Sequence, residues 1–324
     1  MPSVPSTPSI SSNPAPRQRP QPVLAPPARA AVFLVVTVDP GGESAAREVL
    51  AELAAWERAF AFPHPNGDLS CVAGVGADAW DRLYGAPRPA ALHPFRELTG
   101  PRHHAVSTPG DLLFHIRGAR PDLCFALTAE IVKGLRGLAT VQDEVHAFAY
   151  YDARNLLGFV DGTENPVGPD AEEAALIGDE DPEFRGGSYA IVQKYLHDVA
   201  AWESLTTEEQ ERVMGRVKAT GLERAAPGSH REVNTVLGPD GTEQRILRAA
   251  MPFGRPGRGE FGTYFIAYAR DPRLTETMLR RMFLGTPAGG PDPLLDFSRA
   301  VTGSLFFVPS ADLLQHVSEH GKPR

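Results

Sequence analysis

The chain has 324 residues, of which 42% are hydrophobic and 22% are charged. This length exceeds what a single hydrophobic core usually serves, so it predicts two domains of roughly 150 residues each. Lysine and arginine total 32 against 40 acidic residues, which gives a net charge of -8. The negative balance argues against nucleic acid or an anionic membrane as a partner. No apolar run approaches the roughly 18 residues that a membrane span requires, so we expect a soluble protein.

The first part of the chain, residues 1–28, is rich in proline, serine and alanine and has few bulky apolar side chains. Such a segment buries too little surface to offset its ordering entropy, so we predict a disordered tail. It shows neither a twin arginine nor the apolar core of an export signal. The two cysteines, Cys71 and Cys124, lie in apolar segments and are expected to be buried thiols. Both features favour a cytoplasmic location.

Hydrophobic patterning predicts strands and helices that alternate along the chain. In chain order these elements are strand 30–38, helix 43–59, strand 111–117, helix 121–135, strand 145–151, strand 188–194, helix 197–205, helix 206–218, strand 263–269 and helix 272–283. The helix at 206–218 opens on Thr206-Thr-Glu-Glu209, a capping-type start.

Two segments of the chain, 111–132 and 262–283, resemble each other. Each has an apolar strand, then an arginine, a short turn and an amphipathic helix. This weak repeat suggests a duplicated unit, and we predict an α+β fold of two ferredoxin-like halves, each a mainly antiparallel sheet with helices. The predicted division is a tail at 1–28, an N-terminal domain at 29–155, a C-terminal domain at 156–316 and a tail at 317–324.

The most unusual segment reads Gly158-Phe-Val-Asp161-Gly162-Thr-Glu-Asn-Pro166. Taken by itself, it is consistent with an ordinary turn after a strand. However, it places acidic and amide side chains between apolar ones, and glycines such as Gly162 let the backbone approach a flat ligand closely. We therefore treat this segment as a candidate cofactor-binding loop.

This segment resembles the GxxDG-type motif of the dye-decolorizing peroxidases. Four further stretches follow in that family's order: Gly186 to Asp198, Gly228-Ser-His230, Ile246-Leu-Arg248 with Met251-Pro-Phe-Gly254, and Leu294-Leu-Asp-Phe297 with Leu305 to Ser310. The similarity runs from about residue 30 to 315 and is greatest to the compact bacterial cytoplasmic type. The resemblance implies one haem b per chain, bound mainly by the C-terminal half. It also implies hydrogen peroxide and a bulky reducing donor, such as a dye or a phenolic compound, as substrates.

The resemblance implies that His230 is the proximal ligand of the haem iron. A lone histidine is otherwise more often a surface or core residue. Imidazole suits iron, and its second ring nitrogen needs an acceptor that fixes the ring and strengthens its donation. We select Asp296 as that acceptor, with Asp292 as the rival, although Asp296 could instead start a helix near Pro293.

On the opposite side of the haem, the resemblance implies Asp161 and Arg248. An isolated arginine in a strand would otherwise be a surface charge. A fixed cation there stabilises negative charge on the departing oxygen, and Asp161 can move a proton between the two peroxide oxygens. The expected reaction passes through an oxidised ferryl haem and ends with two single-electron oxidations of the donor.

One position departs from the family pattern. Compact bacterial members often read Arg-x-Asn here, whereas this chain reads Arg248-Ala-Ala250, so a polar amide is missing and peroxide activation is expected to weaken. A haem-handling protein on the same fold, which stores or carries haem or releases its iron, is the alternative function. A third interpretation is a non-haem dimeric binding module, in which the His230 motif is a coincidence. Self-association is expected for the fold.

Overall fold

A computed structural model of the protein describes residues 18–286 and 289–320. The strands of this part are β1 (Ala30–Val38), β2 (Ser70–Gly76), β3 (Leu98–Thr99), β4 (His104–Ala105), β5 (Leu112–Gly118), β6 (Ala139–Phe148), β7 (Ser188–His197), β8 (Val236–Leu237), β9 (Glu243–Gln244), β10 (Leu247–Arg248), β11 (Met251–Arg255), β12 (Glu260–Ala269), β13 (Ser298–Ala300) and β14 (Ser304–Val308). The helices are α1 (Glu43–Ala61), α2 (Ala77–Leu83), α3 (Pro121–Gly134), α4 (Pro169–Ala175), α5 (Val199–Glu203), α6 (Thr207–Met214), α7 (His230–Asn234), α8 (Pro272–Leu284) and α9 (Ala311–His320).

The large sheet is antiparallel and runs in the order β10-β12-β7-β14-β2-β5-β1-β6, with β11 also paired to β12 and β13 to β7. The first half consists of β1, β2, β5 and β6, and the second half consists of β7, β10 with β11, β12 and β14. When the four strands of each half are numbered along the chain, both halves have the order second, third, first, fourth across the sheet. This is the ferredoxin-like order. The halves meet where β14 pairs with β2. The predicted α+β fold of two ferredoxin-like halves is confirmed.

The two faces of this sheet bury different cores. On one face the strands pack under α1, α3 and α9, in the larger core. On the other face, side chains of the first half meet those of the second, and the rings of Phe33 and Tyr264 stack with centroids 4.2 Å apart. Since β6 and β11, from opposite ends of the sheet, also contact each other, the sheet curves and encloses this second core.

The internal repeat corresponds to real structure. The segment 111–132 contains β5 and most of α3, and the segment 262–283 contains most of β12 and most of α8. Each pair is the third strand and second main helix of its half. Both helices begin on a proline, Pro121 or Pro272, where the missing N–H costs nothing because the first turn has no acceptor for it.

Two predicted helix boundaries are wrong, one because of pairing with a distant strand and the other because of a local helix stop. The predicted helix at 197–205 is shorter, Val199–Glu203, because β7 continues to His197, where it pairs with Ser298 of β13. The helix at 206–218 ends at Met214, before Gly215 in the left-handed conformation. The predicted capping start is confirmed, since Thr206 and Glu209 form a reciprocal capping box.

Parts of both predicted tails are ordered. The Gln21 side chain is buried, where it donates to Ala73 O and Pro309 O and accepts from Ala73 N, at 2.8–2.9 Å. These bonds join β2 to the segment after β14, so residues 18–28 belong to the folded domain. At the other end α9 continues to His320, and Val317 is fully buried. The remaining predicted tail residues, 1–17 and 321–324, lie outside the described part. No described helix is long and apolar enough to cross a membrane.

Candidate active site

A cavity of about 180 Å³ lies in the C-terminal half between β7, β12 and helix α8, and all the residues that line it fall within 155–298. One group of lining residues is apolar: Leu157, Val160, Met214, Ile246, Phe265, Met278, Leu279, Met282, Leu294 and Leu295. The polar group includes Asp161, Glu164, Asn165, Arg216, His230 and Arg248. The structure thus brings the predicted residues Asp161, Gly162, His230 and Arg248 to one cavity, and it does not bring Asp296 there.

The motif loop is held by its apolar members. Phe159 and Leu157 are buried in a small core with Trp202, whose indole N–H donates to Leu157 O at 3.0 Å. The Asn155 side chain accepts from the N–H groups of Leu157 and Phe159 at 3.1 Å. Gly158 has a φ of +90°, and a Cβ there would lie 2.6 Å from Lys218 Cε. The apolar residues therefore fix the loop to the protein, and its polar side chains remain available to the cavity.

Asp161 is exposed and reaches the cavity from this loop. Its backbone N–H donates to Ala153 O at 2.8 Å, and its carboxylate accepts from Gly162 N–H at 2.9 Å. Gly162 has a φ of +74°, a conformation that side chains disfavour, and it turns the chain so that this N–H meets the carboxylate. The carboxylate keeps free lone pairs, since no ion pair among the described residues uses it.

Arg248 is joined to the same loop by an amide that sequence reasoning did not select. Asn165 Nδ2 donates to Arg248 O at 2.6 Å, and Arg248 N–H donates to Asn165 Oδ1 at 3.0 Å. One carboxamide therefore satisfies both backbone groups of Arg248, as a neighbouring strand would. The residue pairs on its other side with Ala267 of β12.

The guanidinium of Arg248 has no ion-pair partner among the described residues, and its Nε is buried without a hydrogen bond. Burial lowers the pKa of Arg248, while the nearby charges of Asp161 and Glu164 act to raise it. Buried donors of this kind are costly unless a partner satisfies them. An oxygen-bearing ligand in the cavity would supply that partner.

Glu164 connects the motif loop to the segment that carries His230. Its carboxylate forms an ion pair with Arg216, and Arg231 Nε lies 3.8 Å away. Burial raises the pKa of Glu164, but the hydrogen bond and charge of Arg216 and the charge of Arg231 outweigh burial and lower it overall. Because Arg231 follows His230 directly, the Glu164 carboxylate links the motif loop on one side of the cavity to the segment of His230 on the other.

His230 begins the short helix α7, which Ser229 caps. Its Nδ1 lies 2.6 Å from Oδ2 of Asp292, a fully buried carboxylate that also accepts from Leu294 N–H at 2.9 Å. Since a carboxylate only accepts, Nδ1 carries the proton and donates it. Nε2 is then the unprotonated nitrogen, and it makes no hydrogen bond in the described part of the protein. A cation could bind there.

The prediction that Asp296 accepts from His230 is wrong, and the rival Asp292 is the acceptor. Asp296 instead pairs with Arg102 at 3.3 Å and His103 at 3.1 Å, in a partly exposed position. The cause is the 3₁₀ turn Pro293–Asp296. Asp292, which precedes the turn, faces His230, whereas Asp296, at the end of the turn, faces away from it. Asp before Pro is a common cap signal, and that signal could have identified Asp292.

Comparison with known proteins identifies the family of this chain. Residues 20–149 match the family model described as Dyp-type peroxidase, N-terminal, and residues 152–313 match Dyp-type peroxidase, C-terminal. The chain belongs to the Dyp-type peroxidase family. The "Dye-decolorizing peroxidase" of Mycobacterium tuberculosis is 55% identical over 305 residues, which cover 93% of this chain and 91% of that protein.

Two solved structures of Dyp-type peroxidases resemble this one closely. A Rhodococcus jostii RHA1 DypB variant in complex with haem has a TM-score of 0.89 and 55% identity, and it covers 92% of this chain and 99% of that one. The encapsulated DyP-type peroxidase from Mycobacterium smegmatis has a TM-score of 0.90 and 52% identity, with 92% and 98% covered. The predicted family, enzyme class and haem cofactor are confirmed: this chain is a haem-dependent peroxidase.

Ala250 also lines the cavity, two residues beyond Arg248. Its methyl group can neither donate nor accept a hydrogen bond. The amide of the family pattern is therefore absent at this position. Of the polar residues predicted for this wall of the cavity, Asp161 and Arg248 are present.

Proposed function

We propose that His230 binds the haem iron on one side of the cavity and that Asp161 and Arg248 act on hydrogen peroxide on the other. The observation that carries this proposal is the buried Nε of Arg248, which no described residue hydrogen-bonds, in the cavity that His230 also lines. An arginine whose partner is missing fits a ligand that develops negative charge.

The residues present fit a haem. Apolar side chains from β12, α8 and the 3₁₀ turn suit a flat porphyrin, and His230 offers Nε2 to its metal. No cluster of three or more histidine, cysteine or acidic side chains in the described residues could hold a bare metal ion, so the histidine is suited to a metal that a macrocycle already holds. When bound, haem supplies the electrons that cleave the peroxide bond and later recovers them from the reducing donor.

The acid–base work falls to Asp161. Its carboxylate takes the proton from the peroxide oxygen that will stay and delivers it to the oxygen that will leave, which departs as water. Proton transfer of this kind contributes roughly 10²–10⁴-fold to a rate. Exposure of Asp161 at the cavity mouth is consistent with a base that peroxide reaches from solvent.

The electrostatic work falls to Arg248. Its guanidinium cannot lose its proton at ordinary pH, and Asn165 fixes its backbone. It can therefore donate to the leaving oxygen as charge develops. On the other side, Asp292 holds the His230 ring in one tautomer and increases the electron donation of Nε2.

This proposal is tested by titrating the protein with haem and then mixing it with hydrogen peroxide in a stopped-flow spectrometer. We expect one haem per chain and a rapid shift of the haem absorbance band, which a phenolic donor reverses. A haem band that peroxide leaves unchanged would favour the alternative of a haem-handling protein.

Asn165→Ala is expected to slow the reaction with peroxide by about tenfold or more. The variant removes both bonds to the backbone of Arg248, and misplacement of a catalytic group by about 1 Å can cost up to about 10²-fold. The rate of the haem band shift, measured over a range of peroxide concentrations, checks this.

Asn155→Ala is the matched control for that experiment. It also removes two hydrogen bonds between an asparagine side chain and the backbone, but these are accepted from the N–H groups of Leu157 and Phe159 and do not involve Arg248. If the two variants slow the reaction equally at equal stability, Asn165 does not position Arg248.

Ala250→Asn is expected to accelerate the reaction with peroxide, because it restores an amide on the cavity wall that can order peroxide beside Arg248. The gain should be about tenfold or less, in keeping with one added neutral hydrogen bond of about 0.5–1.5 kcal/mol. The measurement is the same band shift at fixed pH. An equal gain in Ala250→Leu would show that cavity shape, not the amide, is responsible.

We further propose a division into two domains between residues 155 and 156, a homo-oligomeric assembly and a cytoplasmic location. The division is supported by the gap between the two family matches, at 149 and 152. Exposed aromatic side chains such as Phe125 and Tyr151 support assembly, and the free buried thiols of Cys71 and Cys124 suit a reducing compartment. Limited proteolysis, sedimentation velocity and cell fractionation test the three in turn.

A further inference from the structure

The methionines of this protein are concentrated at the cavity. The chain has five methionines, and the structure describes four of them, Met214, Met251, Met278 and Met282. Three of these four line the cavity, Met214 from α6 and Met278 and Met282 from α8, and they are called the cavity methionines below. An apolar wall needs no sulfur, because leucine can replace methionine in a packed core at little cost. Methionine differs in its soft thioether, which is oxidised to a sulfoxide.

The cavity methionines lie on helices that pack around the segment of His230. Helix α8 packs against α7, which His230 begins, and α6 contacts α7 as well. The carbonyl of Met282 accepts from the backbone N–H of Asp292 at 2.8 Å, and the Asp292 carboxylate accepts from His230. Met278 and Met282 are four residues apart, so they share one face of α8. These thioethers therefore belong to the wall of the cavity that carries His230.

We propose that the cavity methionines are internal reductants, which the enzyme oxidises to sulfoxides when peroxide is present and no external donor is bound. This inference rests on the proposed peroxidase function, which supplies the oxidant. A thioether sulfur loses two electrons, which fill both oxidising equivalents left by the cleavage of one hydrogen peroxide. The sulfur bonds the oxygen of a water molecule, and the two protons released replace those consumed when the enzyme returns to its resting state. The net reaction converts one thioether and one hydrogen peroxide to one sulfoxide and one water.

The source of the added oxygen follows from the two sides of the cavity. Asp161 reaches the cavity from the motif loop, whereas the helix α8 lies on the side of His230. A haem held by His230 therefore separates the thioethers from the peroxide oxygens. Electrons can cross the porphyrin but an oxygen atom cannot, so the sulfoxide oxygen comes from water and not from peroxide. Direct attack of dissolved peroxide on sulfur would give the opposite result.

A thioether is suited to this task because it can take up both oxidising equivalents. The sulfoxide is a closed-shell product, so no radical remains on the protein. Methionine sulfoxide is also reversible, since reductases restore the thioether. The cavity methionines thus discharge an oxidant that would otherwise attack the haem, and we expect them to set how many turnovers without donor the enzyme survives.

Met251 provides an internal control. It follows Ala250, which lines the cavity, but alternation along β11 directs Met251 to the core that the curved sheet encloses. Met251 is 8% exposed, and the cavity methionines are 5–8% exposed. Peroxide from solvent therefore reaches Met251 at least as easily as the others. A difference in oxidation between them reports on the cavity and not on access from solvent.

The test is peptide mass spectrometry of the haem-loaded protein after a few equivalents of hydrogen peroxide are added without donor. We expect a gain of one oxygen, about 16 Da per sulfoxide, in the peptides of the cavity methionines and no gain in the peptide of Met251. Water labelled with heavy oxygen should label the sulfoxide, whereas labelled peroxide should not. A saturating phenolic donor or omission of the haem should suppress the oxidation.

Leucine variants give a second readout. The triple variant Met214→Leu, Met278→Leu and Met282→Leu keeps the apolar wall but offers no thioether. Without donor, the number of peroxide equivalents that the haem band survives should fall by about one for each thioether removed, as the stoichiometry requires. Met251→Leu, the matched control, should survive as many as the parent. Thermal melting shows whether the variants fold, and the sulfoxides of the parent protein decide the question if the triple variant does not.

The outcomes separate this inference from the function on which it rests. If the haem band does not respond to peroxide, the proposed function fails and the internal reductants fail with it. The peroxidase function stands and the internal reductants are wrong if the band responds but the cavity methionines stay unoxidised. The same conclusion holds if Met251 is oxidised as far as they are, if the haem-free protein is oxidised equally, or if the added oxygen comes from peroxide.

Discussion

Arg248→Leu is expected to lower the second-order rate constant for the reaction with hydrogen peroxide by about 10²–10³-fold, as removal of a preorganised donor to a developing negative charge does. Leucine keeps much of the side-chain volume and leaves the backbone bonds to Asn165 possible. It also removes a buried Nε that makes no hydrogen bond within residues 18–286 and 289–320. The melting temperature of the haem-free protein should therefore stay constant or rise while the rate falls.

The control for this variant is Arg255→Leu, at the exposed end of β11, where the arginine forms an ion pair with Glu260 at 3.2 Å. Its rate should match that of the parent protein, since exposed ion pairs contribute little. A rate loss in Arg248→Leu accompanied by an equal loss of stability would assign the arginine a structural role.

Asp161→Ala should slow the same step by roughly 10²–10⁴-fold. Because we propose that Asp161 and Arg248 act on one bond, their effects should not add: the double variant should be only slightly slower than the slower single variant. Full additivity of the two free-energy changes would show that the groups act in separate steps.

The fold was largely predictable because its halves carry local signals. The predicted strand 30–38 has the same bounds as β1, because its continuous apolar run is buried on both faces of the sheet. The repeat at 111–132 and 262–283 revealed the duplication. What local patterns could not supply is pairing between distant segments. The extension of β7 to His197 depends on Ser298, and the order of residues 18–28 depends on hydrogen bonds from Gln21 to β2 and Pro309.

The candidate site was predictable in its main residues but not in the contacts between them. Asp161, His230 and Arg248 were chosen by family resemblance, and the structure brings them to one cavity. Asn165 was not chosen, although it lies within the motif, because a side chain that binds backbone 83 residues away gives no local signal. The error at Asp296 arose because spacing does not determine which carboxylate of a tight turn faces a given histidine.

Asp292→Asn is expected to accelerate haem loss from the protein by about 10–100-fold, the usual effect of altering the group that orients a metal-bound histidine. Asparagine keeps the shape and an oxygen for Leu294 N–H, but it removes the negative charge 2.6 Å from His230 Nδ1. The ring then donates less electron density, so the midpoint potential of the haem iron should also rise. Transfer of haem to an excess of apomyoglobin measures the first effect and a redox titration the second.

The matched control is Asp296→Asn, an equal change of charge four residues further on. Asp296 contacts Arg102 and His103 at a partly exposed position, so both haem loss and potential should stay near those of the parent. Each variant removes one negative charge near the same turn, but only Asp292→Asn alters the hydrogen bond to His230. Comparison of the two variants therefore distinguishes the effect of that bond from the effect of net charge. If Asp296→Asn shifted the potential as far as Asp292→Asn, the net charge of the turn, not the bond to His230, would control the iron.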